Sequence, residues 1–517
     1  MLFLCKKKIR DVIVKLFKPE LFTRYLKRDC LRLTEPPRDE EWNAEEIHLM
    51  HNYLSDLPNS PWCPMLRKLF LQMNQELTYI PSEFFEHMPV LEVLDMSNTS
   101  IKFLPKLDKL VTLRELFLRC CPLFMELPSE IGKLRNLEVL DLEGTEICNL
   151  PVDMMNLVQL KCLKVSFYGY VNCSRKSDQL KAMIPEGVIS HLSQLNELCM
   201  YVNPDDQRWN LAVTYVLKEL PKLRQLNVLK LYLPGVKFLR DSFLKEMACQ
   251  LSMCFRFTVG SHMKRIIGQV PQELEVQFEK WSKCLRYVNG KGIPEEVIIM
   301  LQYSTSFFLD RHSTIITLSE FGKYSLQNLR FLLLGECNSL QTIIDGRKFC
   351  EKINGDGDDE GKALESLEYL SIHYMKILED IWIGPIHEGC LCKLKSLTLQ
   401  TCPKLTFIFT LELLCNLRAL EELVVEDCTA IKSLVTEESP SGCELTSHEA
   451  GCFLPKLRKL SLHYLPNLTN ISGGHRIALN LEWMSFYDCP NYGNFRWRKF
   501  LVQRSRLSEE RVTGGAH

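Results

Sequence analysis

The sequence lacks several features that would assign it to common protein classes. It contains no run of roughly 18 uncharged apolar residues, which a membrane-spanning helix needs, so membrane association is not expected. Its 63 lysine and arginine residues nearly balance 64 aspartate and glutamate residues, for a formal net charge of -1. The whole molecule therefore lacks the positive field that dominates nucleic-acid binding, and we expect no nucleic-acid partner.

Signatures of catalysis are also missing. The sequence has no Gly-x-Ser-x-Gly elbow and no kinase signature set. Clusters of cysteine and histidine are sparse: Cys443, His448 and Cys452 share one segment, but a zinc site needs a fourth ligand and tighter pairing. We expect no enzyme activity, metal, cofactor or small-molecule substrate. A hydrolase that uses Cys443 and His448 is the catalytic alternative.

The 22 cysteines are not accompanied by a secretory signal. Residues 1–5 are apolar but too short for a signal core, and three lysines follow them. Disulfide frameworks are typical of secreted proteins, whereas cytosolic thiols stay reduced. The sequence therefore predicts a cytoplasmic protein with free thiols.

What the sequence does contain is a repeat. In the segment that starts at Leu91, apolar residues stand at positions 1, 4 and 6, and the polar Thr99 stands at position 9. The segment from Leu137 to Thr145 repeats this order, and the closest starts lie 22–24 residues apart, as in leucine-rich repeats. The same frame begins at Leu66, Leu113, Leu160, Leu195, Leu226, Leu329, Leu367, Leu394, Leu420, Leu457 and Leu481.

Strand geometry explains the repeat. Positions 4 and 6 point to one side of a short strand and fill the core, while the residues between them face solvent. Position 9 is buried at the following turn, beside backbone groups that need hydrogen-bond partners. Buried cysteine can serve there as a small hydrophobe with a weak donor, so we interpret these thiols as structural. The position-9 residues include Asn52, Asn74, Thr99, Thr145, Cys121, Cys337, Cys402, Cys428 and Cys489.

The predicted architecture is an α/β leucine-rich-repeat solenoid, a curved horseshoe with a parallel sheet on its concave face and short helices and irregular loops on its convex face. Residues 41–492 would form about 17 repeats, degenerate near 250–310, where segments 255–257, 285–287 and 307–309 are candidate repeat strands that have lost leucines of the pattern. Residues 1–40 would form a helical cap or linker, and 493–517 a polar tail. The basic stretch 6–28 is predicted to be helical; a contact with an acidic partner or a membrane surface is its alternative role.

Several segments resemble one known family. Residues 33–42, LTEPPRDEEW, are similar to the linker before the repeats of plant coiled-coil nucleotide-binding leucine-rich-repeat disease resistance proteins. Residues 85–95 resemble the early repeats of that family, and the units LxxLxLxxCP at 394–403 and LVVEDC at 423–428 resemble its late repeats. The sequence lacks the phosphate loop of the nucleotide-binding domain, because Gly361-Lys362 is followed by alanine and preceded by an acidic segment. The resemblance thus covers only the leucine-rich-repeat region of these proteins, their sensor, and not the nucleotide-binding domain.

The resemblance implies a non-catalytic protein-recognition module of innate immunity. Its partner would be a pathogen effector, a guarded host protein or a nucleotide-binding domain. A general scaffold or adaptor for intracellular signalling is the alternative.

The candidate binding residues are the outward strand positions on the concave face. They vary between repeats while the inward positions stay apolar, and exposed aromatic residues suit interface hot spots. Their alternative role is to pack on each other across neighbouring strands. The predicted set is Lys68, Phe70, Gln72, Glu115, Phe117, Arg119, Tyr201, Tyr232, Phe331, Tyr369, His373, Glu422, Glu426, Lys459, His463, Trp483 and Tyr487.

Overall fold

A computed structural model describes residues 24–169, 182–261, 270–349, 363–436, 453–472 and 476–491. The chain divides into two compact units, Met1–Tyr232 (unit 1) and Leu233–His517 (unit 2). Each unit is built around a parallel sheet of short strands. Within the described residues, no helix combines the length and the apolar character needed to cross a membrane.

Unit 1 contains one strand per repeat, and each strand pairs in parallel with the next one along the chain. The chain between strands returns through turns, short 3-10 helices and two α-helices. The strands are β1 Tyr25–Lys27, β2 Glu46–His48, β3 Lys68–Phe70, β4 Val93–Asp95, β5 Glu115–Phe117, β6 Val139–Leu142, β7 Cys162–Phe167, β8 Glu197–Val202 and β9 Val228–Leu233. The helices are α1 Val188–His191 and α2 Arg208–Glu219, with 3-10 helices at Asp39–Trp42, Ser129–Lys133, Val152–Asn156 and Leu220–Lys222.

Unit 2 repeats this plan with longer strands. Its main sheet strands are β10 Cys254–Gly260, β11 Lys283–Val288, β12 Ser306–Asp310, β13 Phe331–Gly335, β15 Tyr369–His373, β17 Ser396–Gln400, β18 Glu422–Glu426, β19 Lys459–His463 and β20 Trp483–Tyr487. A second, two-stranded parallel sheet pairs β14 Thr342–Asp345 with β16 Asp380–Ile383. The helices are α3 Ser242–Cys249, α4 Gln272–Glu279, α5 Glu295–Gln302, α6 Lys323–Leu326 and α7 Leu411–Asn416, with 3-10 helices at Val236–Arg240, Leu318–Phe321 and Gly346–Phe349.

The inward strand positions form the core, as the repeat predicts. Leu94 on β4, Leu116 on β5 and Leu140 on β6 are fully buried and stand side by side in the sheet register. Leu397 on β17 occupies the corresponding position in unit 2 and is also buried. Because side chains alternate along a strand, this row leaves the residues on either side of each leucine on the opposite face. We call that opposite face the strand face of each unit.

The position-9 side chains named above are buried, as predicted, except Cys489, which is half-buried. The Asn74 amide donates to the carbonyl oxygens of Leu49 and Leu71 at 2.9 and 2.7 Å, and its Oδ1 accepts from the Leu54 amide at 3.3 Å. Cys337 is buried at the equivalent turn, and burial raises the pKa of its thiol to about 12. A thiol with so high a pKa stays protonated and unreactive near neutral pH, which supports a structural role.

Replacing Asn74 with alanine is expected to lower the free energy of unfolding by about 2–3 kcal/mol, because buried backbone groups then lose their partners. Urea denaturation measures the change. The matched control is Asn136→Ala. The Asn136 amide also donates to one backbone carbonyl, that of Val111, but the side chain is exposed, so a loss below about 1 kcal/mol is expected. Equal losses of unfolding free energy at the two positions would contradict a buried, hydrogen-bonded role for the position-9 side chains.

The structure confirms the α/β leucine-rich-repeat solenoid. It also confirms the three degenerate strands, because residues 255–257, 285–287 and 307–309 lie in β10, β11 and β12. Two expectations are wrong. The first concerns the stretch 6–28 predicted to be helical: residues 6–23 lie outside the described residues, but Tyr25–Lys27 pairs with β2 as a strand and satisfies that strand's free edge. Cys148 is disulfide-bonded, so not every thiol is free.

Candidate recognition surface on the strand face

In unit 1 the outward side chains form rows across the strands. One row runs from Phe70 on β3 through Asp95 on β4 and Phe117 on β5 to Asp141 on β6. The row beside it contains Lys68, opposite Val93, and continues to Glu115 on β5. Aromatic and charged groups therefore alternate on a surface whose predicted members Lys68, Phe70, Gln72, Glu115 and Phe117 are half-buried and whose member Arg119 is exposed.

The cations of this surface each face a glutamate. Because the pairs are partly exposed, each contributes little to stability and mainly fixes the direction of its side chains. Burial alone would raise the pKa of Glu46, but the Lys68 ammonium and the His48 ring outweigh it and lower that pKa. The pairs are Lys68–Glu46 at 3.1 Å, Arg119–Glu143 at 3.4 Å and Lys164–Glu197 at 3.2 Å.

Asp95 and Asp141 behave differently from these glutamates. Burial raises the pKa of Asp95, and hydrogen bonds from Ser97 offset it only in part. Burial likewise raises the pKa of Asp141, against the opposing effects of a backbone hydrogen bond from Glu143 and the charge of Lys164. Both carboxylates therefore lie on the surface row without full compensation of their charge.

The predicted aromatic residues at the far end of unit 1 contact a lysine. The Lys230 ammonium on β9 lies 4.3 Å from the centroid of the Tyr201 ring on β8, at cation–π distance. Tyr201 is half-buried, and the lysine lies over its ring.

In unit 2 the predicted residues also align in two rows. Phe331, Tyr369, Glu422, Lys459 and Trp483 share the first row, at the start of their strands. The second row stands at the strand ends and contains His373, Glu426, His463 and Tyr487. The exposed members are Lys459, Trp483 and Tyr487, all on β19 and β20.

Helix α4 covers part of the strand face of unit 2. Phe278 of α4 packs with Phe308, Phe331 and Leu333, which are outward residues of β12 and β13. Its ring centroid lies 5.9 Å from that of Phe308 and 6.3 Å from that of Phe331. An apolar cluster thus exists on both faces of the sheet here, where the repeat pattern predicts solvent on one of them.

His373 forms a buried polar network on β15. Its Nε2 lies 2.6 Å from the Ser371 hydroxyl, and its Nδ1 lies 2.8 Å from Oε1 of Gln400 on β17. Burial lowers the pKa of His373, although the hydrogen bond with Gln400 opposes that effect. The fold therefore favours the neutral ring. The half-buried His463 makes a similar pair of contacts, with Ser461 at 3.1 Å and Ser485 at 2.9 Å.

A lowered histidine pKa makes stability depend on pH. Between the folded-state pKa of His373 and its unfolded value of 6.5, the unfolded chain binds more protons, so stability falls as the solution is acidified through that window. We expect the free energy of unfolding to fall between about pH 7.5 and 5.5, and to fall less in His373→Gln. Equal slopes for the parent and the variant, from urea denaturation at each pH, would contradict a buried neutral ring.

Comparison with known proteins places these repeats in a family. The family profile described as "Leucine-rich repeat region" matches residues 65–284. The profile described as "Plant disease resistance protein RPS2-like, leucine-rich repeats" matches residues 309–429 and 366–491. Leucine-rich-repeat profiles thus cover most of the chain, and the repeats of unit 2 are similar to those of plant disease resistance proteins.

Individual relatives of this leucine-rich-repeat chain are disease resistance proteins of Arabidopsis thaliana. One is 27% identical over 464 residues, which is 86% of this chain and 43% of that protein. A second, a probable disease resistance protein, is 25% identical over 77% of this chain and 40% of its own length. The chain thus spans less than half the length of these relatives. Among solved structures, a leucine-rich-repeat protein of Leptospira interrogans aligns over 90% of each chain with 19% identity and a TM-score of 0.46.

Three predicted surface residues of the leucine-rich-repeat chain are buried, and the expectation that they face solvent is wrong. Phe331 is 2% exposed because helix α4 and the stacked Tyr369 cover it, with ring centroids 6.0 Å apart. His373 is 1% exposed because its ring bonds to Ser371 and Gln400. Tyr232, at the end of unit 1, is 8% exposed, and its backbone carbonyl accepts a hydrogen bond of 2.9 Å from the ring of the buried Trp209.

The remaining candidate residues have mixed outcomes. The contact of Phe331 with Tyr369 supports the alternative that aromatic residues pack on each other across strands. Cys443, His448 and Cys452 lie outside the described residues. In the described ranges, no group of three or more histidine, cysteine, aspartate or glutamate side chains is placed to hold a metal ion. The predicted binding set omits Asp95 and Asp141, although both directly follow the position-4 leucine, at an outward position.

Proposed function

We propose that this chain is a protein-recognition module of plant disease resistance. It binds its partner through the strand face and acts without making or breaking a covalent bond, in the cytoplasm. The partner is a pathogen effector, a guarded host protein or a nucleotide-binding domain. The family supports a role in resistance, and the sheet supplies an extended surface of the kind that a large ligand needs.

The proposal depends on the different composition of the two faces of the sheet. On β5, Leu116 is fully buried, whereas its neighbours Glu115 and Phe117 reach the strand face. The inward row is leucine on every strand from β3 to β6, while the outward rows change from lysine and phenylalanine to valine, aspartate and glutamate. A constant core combined with a changing surface is what variable recognition requires.

The test compares partner capture by the chain and by a strand-face variant in leaf tissue. The variant carries Glu115→Ala, Phe117→Ala and Arg119→Ala, all on or just after β5. The matched control carries Glu130→Ala, Lys133→Ala and Arg135→Ala, on and beside the 3-10 helix Ser129–Lys133. Thermal unfolding of all three proteins shows that each is folded.

We expect at least one protein to be enriched about equally by the chain and by the control, and to be reduced about tenfold or more with the strand-face variant, because removing central contact residues costs more than 1 kcal/mol each. If the captured protein is lost with the control variant and retained with the strand-face variant, recognition takes place on another surface. Identical sets of captured proteins from all three would refute the proposal for this surface.

A further inference from the structure

The strand face of unit 1 has an unusual distribution of charge. Its lysine and arginine side chains on or just after β3, β5 and β7 already face glutamates, as the pairs given above show. Asp141 on β6 stands opposite Lys164 in the strand register, and the charge of that lysine lowers the Asp141 pKa against the effect of burial. Among the residues that the structure describes, Asp95 and Glu115 form no ion pair. Two carboxylates are thus left without a counter-charge, Asp95 on β4 and Glu115 on β5, where Glu115 lies opposite Val93 in the neighbouring row. The surface is complementary to a cation.

Asp95 is the centre of this arrangement. It lies between Phe70 and Phe117 in the strand register. Its side chain accepts a hydrogen bond of 2.9 Å from the Ser97 amide, and burial raises its pKa. A partly buried carboxylate without a counter-charge is costly, and binding of a cation removes that cost. Gln72, which follows β3, adds a buried Oε1 atom that accepts no hydrogen bond within the described part of the chain.

The two phenylalanines decide which cation fits. Neighbouring strands lie about 4.8 Å apart, so Phe70 and Phe117 stand about 10 Å apart with Asp95 between them. A planar guanidinium needs about 3.5–4 Å on each side for contact with an aromatic ring. Its fork of donors also matches a carboxylate in two hydrogen bonds, which an ammonium group cannot do.

We propose that the strand face of unit 1 binds an arginine side chain of a protein partner, with Asp95 accepting its hydrogen bonds and Phe70 and Phe117 flanking its plane. Glu115 in the neighbouring row supplies further negative charge for a neighbouring basic residue. This inference rests on the proposed function, because it names the chemistry of the partner that the same surface recognises.

The experiment titrates the full chain with a capped tri-arginine peptide at low ionic strength, by calorimetry. Tri-citrulline has nearly the same shape without the charge, and tri-lysine has the charge without the planar fork. We expect tri-arginine to bind about tenfold or more tightly than tri-citrulline, and more tightly than tri-lysine. Asp95→Asn should weaken tri-arginine binding about tenfold or more, since hydrogen bonds to charged groups contribute about 1.5–3 kcal/mol. Asp108→Asn, at an exposed aspartate between β4 and β5, is the control and should leave binding unchanged.

A second measurement needs no variant. Carbon NMR of the Asp95 carboxyl in the native chain should show its pKa falling when tri-arginine is added, because a bound cation stabilises the ionised form. This readout decides the matter if Asp95→Asn fails to fold. The proposal is overturned if tri-arginine and tri-citrulline bind alike, if tri-lysine binds as tightly, if Asp95→Asn binds as the parent does, or if the titration of Asp95 does not move.

Failure of this inference is distinguishable from failure of the proposed function. If the chain does not bind tri-arginine, but the variant with Glu115→Ala, Phe117→Ala and Arg119→Ala still fails to capture a protein that the parent captures, only the arginine site is refuted. If tri-arginine binds through Asp95, but the parent and both triple variants capture the same proteins, the recognition role of the surface is refuted instead.

Discussion

Phe331→Ala is expected to lower the free energy of unfolding by about 3–5 kcal/mol, the usual cost of truncating a buried phenylalanine. Phe331 stands on the strand face of β13, where a repeat normally meets solvent. Its ring is nonetheless 2% exposed and contacts Phe278 of α4, Trp281 and Tyr369. Removing it leaves a cavity beneath α4.

Urea denaturation measures this loss, and Tyr324→Ala is the control. Tyr324 is an aromatic residue of the same unit with 52% of its surface exposed, so a change within about 0.5 kcal/mol is expected there. If Phe331→Ala were as mild as the control, α4 would not be packed on the sheet. The result also bears on function, because loss of partner binding in Phe331→Ala would reflect damaged packing and not a lost contact.

Asp310→Ala is the second change with a large expected effect, a loss of about 3–5 kcal/mol of stability. Asp310 ends β12 and is 3% exposed. It accepts hydrogen bonds from Arg286 at 2.6 Å and from Arg311 at 3.1 and 3.2 Å. Alanine leaves the largely buried Arg311 guanidinium without its carboxylate and leaves Arg286 only the more exposed Glu275, at 3.4 Å. That loss is far more costly than losing an exposed ion pair.

The control for Asp310 is Glu246→Ala, at an exposed carboxylate of α3 in the same unit, where a change within about 0.5 kcal/mol is expected. Denaturation in urea again gives the comparison. A further variant, Asp310→Asn, keeps the shape and one acceptor oxygen, so we expect an intermediate loss. Equal stability of all three variants would show that the arginines are solvated and that the network contributes nothing.

The alternation of side chains predicted most of the fold, because strand geometry leaves few alternatives. The frame at Leu91 and Leu137 placed Leu94 and Leu140 in the core, and counting to position 9 identified Asn74 and Cys337 as buried residues. The same geometry identified β10, β11 and β12, where phenylalanine or tyrosine replaces leucine at some inward positions. These features depend on residues that are close in sequence, so a local pattern is sufficient to reveal them.

Alternation could not predict what covers an outward residue. It assigned Phe331 and His373 to the strand face correctly, but it carried no information on helix α4 or on the hydrogen bond that the His373 ring donates to Gln400. Helix α4 spans eight residues, and its partners Phe308 and Phe331 lie tens of residues further along the chain. Contacts of that kind depend on tertiary structure, so candidate surface residues drawn from the repeat alone included three buried side chains.

Asp95 and Asp141 were missed for a different reason. Their outward position was visible in the sequence, but an aspartate on a strand face usually has no special role there. Asp95 is distinguished only by the register, which places Phe70 and Phe117 beside it, and by the ion pairs that occupy the nearby lysine and arginine. Asp141 is distinguished by its burial and by its place opposite Lys164.

The most direct measurement uses strand β5, because adjacent residues on this strand have opposite roles. Leu116 is fully buried, and Glu115 next to it faces outward and forms no ion pair within the described residues. In urea denaturation, Leu116→Ala should lower the free energy of unfolding by about 2–5 kcal/mol, and Glu115→Ala should change it by less than about 0.5 kcal/mol. Comparable losses at both positions, or a larger loss at Glu115, would contradict a sheet with one structural face and one face free for recognition.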